Sequence, residues 1–516
     1  MSTVKAINFS HPSRQNPNIT LDIGGNLSTN TVTCNVMSVN SITANVSASS
    51  VKIRNVSVLA KCGYNGFLML QNGVVYTCAA NQGSWSSYTL GRGNSYPNNM
   101  GYDSMRSVNF PGETNTSSYI IDANTNSYNF AYALFSNGNL YTWGNNGSGE
   151  CGVGSTSRLE VPTLSATNVT NVYIHPSNGD YAISCKAIIR KADGYLYVAG
   201  YNGNGQLGVG DTTNRTSWTQ LTSLGTNILS VWNMGSDYGC IVVQKGDYTI
   251  WVAGYNGYGQ LGVGDTTNRT SFVNASSAWG ITGSQTLTKV TGGFGYYSSG
   301  GGSATWMGML LSNGTFRTCG YAGDYSLGNA STSNISTPYK VSPGGTDNIS
   351  DVASHGGGLA AVWALKSDGT MWGWGRNDYG QCGDGTTSYV TSPKVISTGV
   401  LQLMSDCMTQ YIQGYVSQGF VRKSDGLYCT GYNGYGHLGV GDTTSRSSLT
   451  RVALPSDFVV SNMGWYSSTY PLRSIIAVST DGRLYAWGYN GQYNISGEGY
   501  ANYVCTPIPI RLPLGG

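Results

Sequence analysis

The residues of this chain best placed to do chemistry sit in a loop that recurs. Ala199 to Thr213 reads AGYNGNGQLGVGDTT, Ala253 to Thr267 reads AGYNGYGQLGVGDTT, and Gly431 to Thr444 reads GYNGYGHLGVGDTT. A glycine-rich loop cradles phosphate when it opens a helix, because the helix end supplies the amides and the dipole. No helix-period segment follows any copy, so these glycines read as structural turns. Asp211, Asp265 and Asp442 bring one carboxylate to each loop, whereas Ca²⁺ needs roughly six to eight oxygens. A carboxylate that caps backbone amides in a turn accounts for them. The four histidines, His11, His175, His355 and His437, fall in three different repeat phases or outside the array. No Cys/His pair has zinc-ligand spacing, and no two carboxylates stand out as an acid–base pair. The sequence therefore predicts no enzyme, no cofactor and no metal.

What remains is the chemistry of aromatic contact. The chain holds 37 Tyr, and the loops that vary most between repeats carry Tyr64, Tyr181, Tyr238, Tyr296, Tyr297, Tyr411, Trp465, Tyr466 and Tyr470 beside Gly, Ser and Asn. Tyr and Trp supply large rigid contact areas with few rotors, and the small polar residues supply adaptable hydrogen bonds, a mixture used by antibody loops. These residues form the candidate binding set, and replacing Trp465 or Tyr466 with Ala is expected to weaken binding and not the fold. The competing reading is that such tyrosines wedge between repeats.

The elements that must position them can be followed eight times from about residue 57. Each unit has an apolar strand, a variable loop, a second strand, a tight turn, a third strand ending near a Gly, the glycine-rich loop and an extended tail. The turns are Asn72-Gly73, Asn137-Gly138, Asp193-Gly194, Asn313-Gly314, Asp368-Gly369, Asp425-Gly426 and Asp481-Gly482, with Lys245-Gly246-Asp247 in the fourth unit. Such pairs suit two-residue hairpins, in which both central positions take positive φ. The anchors Ala79, Gly144, Gly200, Gly254, Gly320, Gly375, Gly431 and Gly488 stand 54 to 66 residues apart. A period in this range with antiparallel hairpins means propeller blades or solenoid coils. The two longest intervals predict insertions near residues 94–128 and 279–306. In a propeller, the variable loops must all emerge on one face, and the last strand, near Thr506 to Leu512, is expected close to the first unit.

Tyr141 to Gly152 (YTWGNNGSGECG), Trp374 to Gly383 (WGRNDYGQCG) and Trp487 to Asn490 (WGYN) resemble the repeat of the regulator-of-chromosome-condensation (RCC1) family. The resemblance covers roughly residues 57–516 and implies an all-β, RCC1-like β-propeller of seven or eight blades. The family's exchange factor inserts a wedge into a small GTPase and meets chromatin with basic residues. Here basic tails are absent and nothing corresponds to that wedge.

Composition narrows the partners. Charged residues are 10% of the chain and the net charge is +3, without a basic or acidic cluster, so neither nucleic acid nor an anionic membrane is an expected partner. No apolar run of about 18 residues predicts a membrane helix, and the N-terminus has no apolar signal core, which predicts synthesis in a cytosol. The 11 Cys are an odd number and sit singly in strand-like runs, which predicts buried thiols.

Residues 1–56 differ from the rest: they alternate Val, Ile or Leu with Ser, Thr or Asn and read as a β-rich attachment or oligomerisation segment too small to bury a core of its own. Residues 57–516 form the propeller. The combination looks like a phage tail-fibre, spike or tip component. On this reading the protein is virion-associated and joins other virion proteins through residues 1–56, with a trimer expected by analogy with fibre shafts. The propeller loops would meet a host-surface glycan or protein. The alternative is a cytosolic protein-binding RCC1-like propeller of inhibitor or scaffold type.

Overall fold

The hairpin between the second and third strands of each repeat shows how this sequence makes sheet. Phe135 carbonyl accepts from Gly138 N, Phe135 N donates to Asn139 carbonyl, and the Asn137 side chain accepts from Asn139 N at 3.0 Å. Of the central residues only Gly138 has positive φ (83°). In this hairpin it is a type I turn followed by a left-handed glycine, not the two-residue turn with two positive φ values expected from Asn-Gly, whereas in the first repeat Gln71 pairs directly with Val74, as a two-residue turn requires. The fourth repeat keeps the geometry shifted by one residue: Asp247 accepts from Thr249 N at 3.0 Å, and Tyr248 takes the left-handed position at φ 68°.

The chain divides into two units, Met1–Asn55 and Val56–Gly516. The computed structural model describes residues 56–59, 66–71, 74–79, 91, 93 and 106–113. From residue 118 it describes all but 126–129, 175–184, 236–237, 298–301, 356–359, 405–416, 470–471, 490–502 and 510–516. The expected attachment segment 1–56 therefore lies, but for Val56, outside the described residues.

The described residues form eight four-stranded antiparallel sheets, each a simple meander of consecutive strands. They span residues 56–107, 120–166, 169–220, 228–274, 287–341, 349–397, 400–451 and 460–509 and are blades 1 to 8. First strands of neighbouring blades lie against one another, as Val169–Ile174, Ile228–Met234, Leu287–Tyr297 and Ile349–His355 do. Blade 8 meets blade 1 where Val460–Thr469 contacts Val56–Leu59 and Gly66–Gln71. The last strand lies beside the first unit as expected, with Tyr76 of blade 1 in the same apolar layer as Val504 and Ile508. Tyr503–Pro509 pairs inside blade 8 with Leu484–Tyr489, so the ring closes by packing of one sheet on the next and not by a strand shared between first and last repeats.

Second strands are buried on both faces, as in Phe130–Phe135 and Ala361–Lys366, while outer strands such as Arg215–Gln220 are only half-buried. The core is a series of apolar layers between blades. One layer joins Ile188 and Val198 of blade 3 to Ile241 and Phe272 of blade 4, and another joins Phe420 and Leu438 of blade 7 to Trp487 of blade 8, with Tyr76 of blade 1 against it. Burial of this aliphatic and aromatic surface supplies the main drive for the ring. Among the described residues, Cys151, Cys185, Cys240, Cys319, Cys382 and Cys429 are buried and not in disulfides. The later of the two expected insertions is visible as the long hairpin Leu287–Tyr297 and Gly302–Leu311 of blade 5.

Candidate functional site

The glycine-rich loops join the third and outer strands, and those of blades 2 to 7, which lie among the described residues, clamp each blade to the next. In blade 4, Asn256 Oδ1 accepts from Leu261 N at 2.9 Å, while its Nδ2 donates to Asp265 carbonyl at 2.9 Å. Asn146, Asn202, Asn377 and Asn433 accept in the same way from Cys151, Leu207, Cys382 and Leu438. Gln260 Oε1 takes Tyr258 N at 3.1 Å. The loop thus brings its own polar groups to its backbone donors, as buried polar groups require. Beyond the turn, Gly154, Gly210, Gly264, Gly385 and Gly441 donate backbone bonds to Thr216, Thr270, Ser336, Ser447 and Cys505 on the outer strand of the following blade. An outer edge that would otherwise invite pairing is covered at these points.

The Gly-Asp-Thr-Thr segments cap amides. Asp211, Asp265 and Asp442 accept from Thr213, Thr267 and Thr444 N at 2.8, 2.9 and 2.9 Å, and pair with Arg215, Arg269 and Arg446, each at 2.6 Å. The arginine first, and then the threonine amide, hold these carboxyls below the usual range. Among the described residues no group of three or more His, Cys, Asp or Glu could hold a metal. His355 is 1% exposed, lies edge-to-face on Trp363 at 4.2 Å, and is pushed down to about 3 by burial. It is neutral near pH 7 and supplies no proton there.

Strand direction decides what else this face carries. In a four-stranded meander, the loops after the first and third strands leave at the same end of the sheet. Tyr238, between first and second strands of blade 4, accordingly meets Tyr255, just after its third strand, with ring centroids 4.9 Å apart. Tyr255 meets Tyr258 at 6.5 Å, and Tyr258 meets Tyr321 of blade 5 at 5.5 Å. A second track crosses blades 6 to 8. Tyr379 meets Tyr432 at 5.0 Å, Tyr432 meets Tyr435 at 6.2 Å, and Tyr435 meets Tyr503 at 5.4 Å and Tyr489 at 6.4 Å. These rings are half-buried except Tyr503, which is 40% exposed. Edge-to-face contacts of this kind add to the burial of each ring.

Of the residues expected to bind, Tyr238 is thus placed on this face beside tyrosines of the glycine-rich loop. Tyr296, Tyr297, Trp465 and Tyr466 were expected in loops but are strand residues, paired with Ser303, Gly302, Ile475 and Ser474. Aromatic residues in these runs suit the pleated ladder, which extends beyond the expected strand end. Tyr64, Tyr181, Tyr411 and Tyr470 lie outside the described residues. Tyr255, Tyr258, Tyr321, Tyr379, Tyr432, Tyr435, Tyr489 and Tyr503 were missed, although Tyr recurs at the second and fifth places of the loop GYNGYGQLG.

The fold and its clamp loops define an RCC1-like β-propeller. Residues 137–178 and 368–403 match the regulator of chromosome condensation (RCC1) repeat, so these two stretches are similar to that family's repeat. It is 28% identical over 314 residues to the ultraviolet-B receptor UVR8 of Arabidopsis thaliana, covering 60% of this chain and 64% of that protein. It is 25% identical over 375 residues to the human E3 ubiquitin-protein ligase HERC2, covering 72% of this chain and 7% of that protein. The chain therefore spans less than two thirds of the length of either relative. Among solved structures, Prp20p of Saccharomyces cerevisiae, described with its binding to Gsp1p and histones, superposes with a TM-score of 0.49 at 15% identity, over 73% of this chain and 87% of that one.

Proposed function

We propose that this protein is a non-catalytic, protein-binding propeller that engages its partner through the face built by the variable and glycine-rich loops. The observation that carries this reading is the run of tyrosine contacts from Tyr379 through Tyr432 and Tyr435 to Tyr503, which crosses three blades on one face. Half-buried tyrosines held by a rigid loop present contact area at low entropic cost. The virion-attachment reading draws on residues 1–56, which lie almost wholly outside the described residues, so the protein-binding reading is the one carried here.

Site-specific photo-crosslinking tests it in the cells that make the protein. A benzophenone amino acid at Tyr258 or Tyr435 is expected to trap a discrete protein, while the same group at Asp193 or Asp481, in the hairpins at the other end of the sheets, traps none. Adducts at the hairpin positions with none at the tyrosines would overturn the assignment of the face.

A further inference from the structure

Resting on the protein-binding reading, we infer that a two-stranded ribbon rising from blade 5 takes up an extended strand of the partner protein on its outer edge, opposite Gly302, Ser303 and Ala304. The first and second strands of this blade run to 11 and 10 residues, Leu287–Tyr297 and Gly302–Leu311. In blade 4 they have 7 and 6, Ile228–Met234 and Cys240–Lys245. The third strand of blade 5 does not follow this extension, for it ends at Gly320, opposite Trp306. The pairs Phe294 with Thr305, Gly295 with Ala304, Tyr296 with Ser303 and Tyr297 with Gly302 therefore stand beyond it. First strands end and second strands begin at the end of the sheet that carries the tyrosines, so the ribbon belongs to that face.

The direction of its main-chain groups gives the outer edge its chemistry. Thr305 carbonyl accepts from Tyr321 N at 2.8 Å, so it points away from the first strand. In an antiparallel ladder alternate residues turn their main-chain groups to the same side. The N–H and C=O of Ser303 accordingly point outward as well, while those of Gly302 and Ala304 turn toward the first strand. Among the described residues no strand stands opposite these three on the outer side. Another extended main chain is what matches such an edge.

Elsewhere the chain guards its edges. Clamp loops meet the outer strands at Thr216, Thr270, Ser336, Ser447 and Cys505. The corresponding ribbon of blade 8 carries Arg473 just beyond Ser474, the last residue paired with its third strand, and its register shifts between Ser467 and Thr469. Pro471 lies between its strands in the sequence. Charge, irregular register and proline all discourage strand addition. Residues 290–306 of blade 5 contain no charged residue and no proline, and the pairing runs without a shift from Lys289 to Tyr297.

Tyr321 indicates what the partner strand carries. A strand added antiparallel to residues 302–304 lies in line with Phe316–Gly320, and its near end comes to the point where the chain turns away at Tyr321. The Tyr321 ring and that of Tyr258, 5.5 Å from it, are half-buried there. A large apolar or aromatic residue at that end of the partner segment packs on them. A second copy of this chain paired edge to edge would bring only Gly302, Ser303 and Ala304, none large enough to cover the rings.

The test is photo-crosslinking from Tyr258 in the full chain, repeated in three variants whose folding is checked by thermal unfolding. Ser303→Pro removes the outward N–H and no amide that faces the first strand, and the yield of the adduct is expected to fall at least tenfold. Ser303→Lys charges the edge and is expected to act likewise, which serves should Ser303→Pro unfold. Ser303→Ala keeps the main chain and should leave the yield unchanged. Loss of the adduct in Ser303→Ala as well, or a trapped protein that is a second copy of this chain, would overturn the inference. If Ser303→Pro and Ser303→Lys leave the yield unaltered, the edge is not the site and the binding face stands; if Tyr258 traps nothing in the parent chain, both readings fall.

Discussion

Gly205→Ala is expected to cost the protein about 4 kcal/mol, whereas Gly399→Ala costs about 1 to 2 kcal/mol. Both glycines have positive φ, 74° and 68°, so both substitutions incur the left-handed penalty of an L side chain. They differ in what a Cβ would meet. At Gly205 it would stand 2.6 Å from Thr270 Cα and 3.0 Å from Thr270 N on the outer strand of the next blade, whereas at Gly399 nothing lies within 4 Å. Backbone cannot rotate aside, so the clamp loop of blade 3 must lift from blade 4 and stretch the Gly210 to Thr270 bond. Chemical denaturation of the two variants measures the difference. Equal losses would mean that the loops do not hold neighbouring blades together.

Glu150→Gln is expected to stabilise the protein by up to about 3 kcal/mol at pH 8 and to change little at pH 4. Glu150 occupies the place held by Gln206, Gln260 and Gln381 in other blades, and its Oε2 accepts from Ser148 N at 2.9 Å as Gln206 accepts from Asn204 N at 2.8 Å. The carboxyl is fully buried, and that burial pushes it up to about 7 from an ordinary 4.5. Below pH 4.5 the group is protonated whether the chain is folded or not, and its contribution is intact. Between about 4.5 and 7 the unfolded chain ionises while the folded one holds its proton, so stability falls as pH rises, and above about 7 the loss is complete. Glutamine keeps the bond to Ser148 N and removes the ionisation. Thermal unfolding of both proteins from pH 4 to 8 should show the curves diverging upward through this window. A constant offset would contradict the assignment.

Periodicity made the blades legible in the sequence. The anchor glycines and the Asn/Asp-Gly turns are local necessities, because only glycine adopts the left-handed position cheaply, and each repeats with the fold. Asp211, Asp265 and Asp442 were readable as amide caps for the same reason. What a linear pattern hides is lateral packing. That Gly205 faces Thr270, or that blade 8 closes on blade 1 without sharing a strand, depends on contacts between repeats which no spacing encodes. The tyrosine tracks were missed because Tyr258 and Tyr435 stand inside loops whose glycines already explained them. The direction of the strands alone would have put those loops on the face of Tyr238. Trp465 and Tyr466 were assigned to the variable loop, yet the ladder runs on to Thr469.

Protein binding by the tyrosine face is open to direct measurement. The measurement is the dissociation constant of the crosslinked partner, once purified, for the wild-type chain, Tyr435→Ala, and Asp193→Ala in a hairpin at the opposite end. Tyr435→Ala is expected to weaken binding about 30-fold, the loss of a central aromatic anchor worth about 2 kcal/mol. Asp193→Ala should leave binding unchanged, and all three proteins should unfold together. An affinity unaltered by Tyr435→Ala, or lost equally in Asp193→Ala, would contradict a binding role for this face.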